Sequence, residues 1–285
     1  MKKIFSLFCI TISLYCHAEP APSDLSPSTP LNAELPQNNK FIKARLRPHQ
    51  AEYTISLQDK SENISDVKGT MTIRLLDSMG WTLEYHIKMT ILYDDHTKDE
   101  YESTIASFET ADHQQYRFTL KVTLNNELLS ALRGEAEIED NEGIVKFKGS
   151  QDDMEIPGHT LFPLHLIRRI LTDAKDSMTV NNYTYFGYYN TELTPLNMNV
   201  VIRPKKPNIN VKGLQEIDFR KSYQLQMASF PLHDQASMDP QSTLHKLIQS
   251  NGITIEEDLF FPEFGFTIRA KLSKVELYEE DEETF

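Results

Sequence analysis

Few residues in this chain stand in spacings that do chemistry. Ser65-Asp66-Val67-Lys68 has the serine-to-lysine separation of acyl-enzyme hydrolases, in which an amine activates the hydroxyl. The companion S-D-N and K-T-G motifs are absent, and the segment leads into an alternating β pattern instead of opening a helix, so it reads as a chance match. No G-x-S-x-G, H-E-x-x-H, G-x-G-x-x-G or phosphate-loop motif occurs. Asp94-Asp95-His96-Thr97-Lys98-Asp99-Glu100 gathers five side chains of metal-binding type. A calcium loop needs carboxylates at fixed spacing and a glycine for the turn, and Lys98 competes for the acids, so the segment reads as a polar hairpin tip. Of nine histidines, only His159 and His165 lie close together, around Leu161-Phe162-Pro163, in no known zinc spacing. His165 is expected to be a buried, hydrogen-bonded structural residue. A hydrolase using His165 or Ser65 in an unfamiliar arrangement is the enzymatic alternative. Tyr183, Tyr185, Tyr188 and Tyr189 crowd one segment, which either lines a sugar or lipid groove or forms a β-rich core strand. No catalytic residue, cofactor or metal ligand is assigned.

The amino terminus is expected to be an export signal over residues 1–18. Lys2 and Lys3 precede the apolar run Ile4 to Tyr15, and Cys16-His17-Ala18 offers a cleavage site. The run is too short to span a bilayer, and Tyr15 before Cys16 argues against lipidation. Cleavage would leave 285 − 18 = 267 residues, change the net charge from −13 to 27 − 42 = −15, and discard both cysteines, Cys9 and Cys16. Without them no disulfide, thiolate nucleophile or cysteine ligand is available. The acidic balance argues against a nucleic-acid binder and against electrostatic attachment to an anionic membrane surface. No later stretch is apolar enough to span a membrane as a helix, so a periplasmic location is expected. Residues 19–40, with Pro20, Pro22, Pro27, Pro30 and Pro36, read as a disordered tether, and residues 279–285 as a solvated acidic tail.

Between these ends, residues 41–278 read as a single β domain. Trp81, Leu83, Tyr85, Ile87, Met89, Ile91 and Tyr93 alternate with mostly polar neighbours, as in an antiparallel strand with one buried face. The pattern recurs in Ala51-Tyr53-Ile55-Leu57, Met71-Ile73-Leu75, Tyr116-Phe118-Leu120-Val122-Leu124 and Phe264-Phe266-Ile268-Ala270-Leu272. About a dozen strands are expected. With only ten glycines, Asn and Asp must fill many tight turns. Leu164, Ile167, Ile170, Leu171 and Ala174 follow helical spacing after Pro163, which predicts one helix over 163–175, covering or plugging the sheet. Residues 240–252 are ambiguous: a helix stopped by Asn251-Gly252, or a strand that turns there.

The order of these pieces resembles the EipB-like periplasmic proteins, a family linked to cell-envelope integrity. The resemblance spans about His49 to Leu277 and rests on His49-Gln50-Ala51-Glu52-Tyr53, Ser65-Asp66-Val67-Lys68-Gly69, Gly80-Trp81-Thr82 and Ser107-Phe108-Glu109-Thr110. It continues in Thr160-Leu161-Phe162-Pro163-Leu164-His165-Leu166, Ser250-Asn251-Gly252-Ile253 and Phe264-Gly265-Phe266-Thr267-Ile268. It implies an antiparallel β-spiral or partly open barrel with one covering helix, and a non-catalytic envelope role. It also implies structural duties for Gly80, Trp81, Phe162, Pro163, His165, Asn251 and Gly252, and favours a hairpin over 240–252. Family members commonly tie a cysteine just ahead of the Gly-Trp pair to one near the carboxyl end. Here Asp77-Ser78-Met79 precedes Gly80 and no late cysteine exists, so stability must come from packing. The function expected first is binding of a periplasmic partner protein or envelope component. The alternative is a carrier or sensor of a lipid or other apolar ligand in a curved-sheet cavity.

Overall fold

The computed structural model describes residues 42–59, 63–149, 152–187, 194–206, 221–232, 239–261 and 264–278. The expected signal, tether and acidic tail, and Tyr188 and Tyr189, lie outside the described residues.

Alternating sequences give alternating faces here. The strands are β1 (His49–Asp59), β2 (Ile64–Asp77), β3 (Gly80–Tyr93), β4 (Lys98–Thr110), β5 (Gln115–Leu124), β6 (Glu127–Glu139), β7 (Glu142–Phe147) and β8 (Met154–Pro157). After helix α1 (Pro163–Asp173) come β9 (Thr179–Tyr185), β10 (Leu196–Pro204), β11 (Ser222–Pro231), β12 (Ser242–Gln249), β13 (Thr254–Phe261) and β14 (Phe266–Leu277). All fourteen join one antiparallel sheet in the order β8-β7-β6-β5-β4-β3-β2-β1-β14-β13-β12-β11-β10-β9. Two meanders, β1–β8 and β9–β14, are thus fused where β1 pairs with β14. Register puts apolar residues opposite one another on the inner face: Tyr53 against Met71 and Leu272, Ile73 against Tyr85, Leu75 against Leu83. Such cross-strand pairs are what hold a sheet in one register, since a one-residue slip would turn every one of them outward.

The two ends of the sheet nearly meet. Leu161, in the link after β8, makes a parallel bridge to Tyr185 of β9. Its N–H donates to the Thr184 carbonyl at 2.8 Å, and its own carbonyl accepts from Phe186 N–H at 3.1 Å. The result is a nearly closed barrel. Two-residue turns at Asn125-Asn126 and Asp140-Asn141 have positive φ at both positions, the conformation of tight hairpins that Asn and Asp tolerate.

The helix ends two residues earlier than its apolar spacing predicts, because Ala174 is already extended at ψ 132°. Pro163, Leu164, Leu166, Ile167, Arg169, Ile170 and Leu171 are all buried, so the helix is enclosed around most of its circumference. It packs in the same core as the inner residues of β1–β3 and β9–β14, and therefore plugs the barrel. A smaller aromatic core under β5–β8 joins Tyr116, Phe118, Phe162 and Phe186. The helical alternative for 240–252 is corrected: Ser242–Gln249 is strand β12. Leu244 and Ile248 pair with Met227 and Tyr223 of β11, and a neighbouring strand outweighs the weak helical periodicity.

Candidate functional site

Helix α1 begins without a cap of its own. Phe162 stands at the N-cap in extended conformation, has no side chain to accept a hydrogen bond, and no acid occupies the first turn. Pro163 carries no N–H, which leaves the amides of Leu164 and His165 to be satisfied. Strand β4 supplies the acceptor. Glu109 takes the Leu164 N–H on Oε1 at 2.6 Å and the His165 N–H on Oε2 at 3.0 Å. One carboxylate thereby caps the helix from across the barrel, where its charge also suits the positive end of the helix dipole. Glu109 is completely buried. Burial pushes its carboxyl up to about 7, against the pull of the two amides and of Arg168.

Two histidines and an arginine complete the cluster. The rings of His113 and His165 stack with centroids 4.1 Å apart and planes 22° from parallel. Arg168 Nη1 lies 2.7 Å from His113 Nε2. A guanidinium only donates, so His113 Nε2 must accept, and the ring is neutral with its proton on Nδ1. That Nδ1 lies 3.9 Å from Glu109 Oε2. Burial lowers His113 to about 4, helped by Arg168, and lowers His165 to about 3, helped by His113, Arg168 and Arg169. Both rings are therefore neutral imidazoles at neutral pH, each with a single N–H. Both lie far below 7 and are poor proton carriers at neutral pH, while both oxygens of Glu109 are engaged by backbone amides, so the geometry serves as a structural lock.

The residues singled out by sequence mostly gather around this lock. Gly80 sits at φ +148°, and a Cβ there would fall 2.6 Å from the Glu109 carbonyl oxygen and 2.7 Å from Phe108 Cζ, so only glycine fits. Trp81 is buried opposite Glu109 in the β3–β4 ladder. Phe162 is fully buried and stacks on Tyr116 at 5.2 Å. His165 differs from expectation in one respect: its Nδ1 is buried with no hydrogen-bond partner among the described residues, and stacking on His113 holds the ring instead. Asn251 and Gly252 lie apart, at the β12–β13 turn, and the segment 42–48 connects them to the helix. Arg47 N–H donates to the Asn251 carbonyl, Leu46 packs on the bare face of Gly252, and Thr172 Oγ1 accepts from Lys43 and Ala44.

Tyr183 and Tyr185 are both buried, the first with its hydroxyl donating to Asp173 at 3.1 Å, so neither presents a ring to a surface groove. Ser65 donates to the Leu92 carbonyl while Lys68 pairs with Asp66 at the surface, which leaves the hydroxyl without an activating amine. The 94–100 segment is the β3–β4 turn, with Asp95 accepting from Thr97 and Asp99 from Tyr93 and Asn125. Among the described residues no group of three or more His, Cys, Asp or Glu is placed to hold a metal ion.

Sequence reasoning named the 107–110 segment but not Glu109, His113 or Arg168 as a unit. The available signal was a carboxylate at an inward position of β4, where Tyr101, Ser103, Ile105, Ser107 and Glu109 alternate toward the interior. A second interior feature was also missed. Lys246 and Glu257 face each other across β12 and β13 at 3.0 Å, both nearly inaccessible to solvent. They stand close to Tyr53, whose hydroxyl donates to the Thr254 carbonyl at 2.8 Å. Between Lys246, His49, Leu164 and Ile167 lies a void of about 40 Å³, room for about one water.

Fold and site together define a β-barrel-like protein in which a buried carboxylate on β4 anchors a helix within the barrel. The family model described as EipB-like matches residues 42–279, and the chain belongs to that family. It is 25% identical over 242 residues to the cell envelope integrity protein EipB of Brucella abortus (strain 2308), covering 82% of this chain and 85% of that protein. The crystal structure of a beta-barrel-like protein of the domain of unknown function DUF1849, also from Brucella abortus, superposes with a TM-score of 0.71 at 22% identity. That match covers 83% of this chain and 100% of the other, and carries the fold alone.

Proposed function

We propose that this protein is an exported, non-catalytic component of the cell envelope that supports envelope integrity by binding a partner protein or an envelope component. One observation carries the reading: the motif residues Gly80, Trp81, Phe162, Pro163 and His165 converge on Glu109 and the plugging helix, not on an open cleft. Among the described residues the helix fills the interior of the sheet, which favours its outer surface for recognition. The name of the Brucella relative supports the envelope role, and the expected export signal supports a periplasmic location. Neither the family description nor that relative's name refers to an enzymatic activity.

The test is a deletion strain challenged with detergent and EDTA, together with cell fractionation. The reading expects heightened sensitivity, restoration by the wild-type gene, and mature protein in the periplasmic fraction. A deletion strain as resistant as its parent would contradict it. The carrier alternative draws less support, because among the described residues the apolar void beneath the helix is about 40 Å³, and the depression of about 340 Å³ beside β12 and β13 is lined mostly by polar and charged side chains. Native mass spectrometry of freshly purified protein separates the two, the binding reading expecting the bare mature mass and the carrier reading an added lipid.

A further inference from the structure

The outer face of the sheet pairs many of its charges. Arg74 pairs with Glu84, Arg269 with Asp258 and Lys274 with Glu52, each across neighbouring strands. One stretch, over β4–β6, departs from this habit. There Phe108, Arg117, Arg133, Glu135 and Lys148 surround a groove of about 240 Å³ whose floor includes Ala106.

Register builds the groove from two adjacent rows on one face. In the first, Phe108 stands opposite Arg117, and Arg117 opposite Glu135. In the second, Ala106 stands opposite Thr119, and Thr119 opposite Arg133, whose carbonyl accepts from Lys148 N–H at 2.8 Å. The small side chain of Ala106 leaves the depression. Among the described residues, none of Arg117, Arg133 and Lys148 forms an ion pair or a side-chain hydrogen bond, although Glu135 is near. Three cations against one carboxylate give the lining 3 − 1 = +2, on a chain whose net charge is −13. Unpaired cations gathered on an acidic protein mark a place where an anion is drawn in. Phe108 adds a flat apolar face. Its ring lies over Gly80, where any Cβ would displace it.

We propose that this groove binds a phosphorylated sugar. The guanidinium forks of Arg117 and Arg133 match phosphate oxygens in pairs, and a phosphate monoester carries about −1.5 to −2, which the lining neutralises. Phe108 packs against the sugar ring, and Lys148 adds a more distant charge. The volume is below the roughly 300 Å³ of pockets for drug-sized ligands, which suits a single ring with its phosphate. The inference names a class of envelope component and in that respect rests on the function proposed above.

Isothermal titration of the mature protein with α-D-glucose 1-phosphate, inorganic phosphate and glucose tests it. Saturable binding of the sugar phosphate is expected, with weaker binding of phosphate and none of glucose. Each of Arg117→Ala and Arg133→Ala should weaken binding by about tenfold, since a hydrogen bond to a charged group is lost. Phe108→Leu should weaken the sugar phosphate but not inorganic phosphate. Unchanged thermal midpoints show that the variants remain folded, as expected for exposed arginines. Equal affinity in the double arginine variant, or for glucose and its phosphate, would overturn the proposal. Phosphatidylcholine vesicles with and without lipid A, a phosphorylated glucosamine lipid, distinguish the sources. Co-sedimentation only with lipid A assigns a membrane-borne headgroup; binding of the free sugar phosphate without co-sedimentation assigns a soluble ligand; binding of neither form overturns the site. A folded double arginine variant that binds no sugar phosphate yet fully restores detergent resistance would remove the groove from the envelope role and leave that role standing. A deletion strain with no envelope defect would remove the role itself.

Discussion

Replacing Glu109 opens the lock in a way that can be measured against pH. Glu109→Ala leaves the Leu164 and His165 amides buried without their acceptor. At about 1–3 kcal/mol for each orphaned group, the loss is about 2–6 kcal/mol. Glu109→Gln keeps one acceptor oxygen and turns an NH2 against the second amide, so about 1–3 kcal/mol is expected. Ionisation adds a direction. Burial raises the Glu109 carboxyl from 4.5 to about 7, so the folded state holds its proton to higher pH than the unfolded chain does. Wild-type stability therefore falls as pH rises from about 4.5 to about 7, by roughly 3 kcal/mol from this group. Neither variant has that titration, so the gap to wild type should be widest near pH 5 and narrow toward pH 8. Urea unfolding at several pH values reads this out through the single tryptophan, Trp81, which is buried opposite Glu109. Exchange of the 164 and 165 amides should rise in the same variants. Alanine and glutamine variants as stable as wild type at pH 5, or gaps that widen with pH, would refute the reasoning.

Other consequences are simpler. Lys246→Met leaves Glu257 buried without its partner and should cost about 3–5 kcal/mol, most of it recovered in Lys246→Met/Glu257→Leu; thermal unfolding of the set checks this. His113 and His165 are held well below their ordinary value of 6.5, so their contribution to stability is full above pH 6.5 and is lost as pH falls toward 4 and 3. The acid-unfolding midpoint of His165→Phe should accordingly lie below that of wild type, as circular dichroism would show. The only cysteines are Cys9 and Cys16, so a reductant should leave the thermal midpoint of protein expressed without residues 1–18 unchanged.

Much of the barrel was legible because period-two alternation has a single physical meaning. Trp81 to Tyr93 could be read as one strand with one buried face, and it is. Asn and Asp were expected in tight turns, and Asn125-Asn126 and Asp140-Asn141 occupy them. The 240–252 segment resisted local reading because Leu244, Leu247 and Ile248 fit a helix as well as they fit a strand, and only pairing with β11 decides it. Short β8 carried too few residues to register as a pattern. The lock was legible only in pieces. Pro163 announced the helix start and Gly80 a backbone constraint, but Glu109 lies more than fifty residues before the amides it caps. No local rule connects an inward carboxylate on one strand to a helix that lacks its own cap. Lys246 escaped for the same reason, since its partner Glu257 is fixed by strand register and not by spacing.

The central claim, that the His165 block is architecture and that the protein acts by binding, comes down to one substitution. Phenylalanine at 165 keeps a flat ring to stack on His113 and removes both nitrogens, of which Nδ1 has no partner among the described residues. Detergent survival of a deletion strain carrying His165→Phe should match that of the strain carrying wild type, with protein of native thermal stability at neutral pH. A His165→Phe protein that folds, reaches the same level in the cell and fails to restore survival would contradict the account and return His165 to the chemistry.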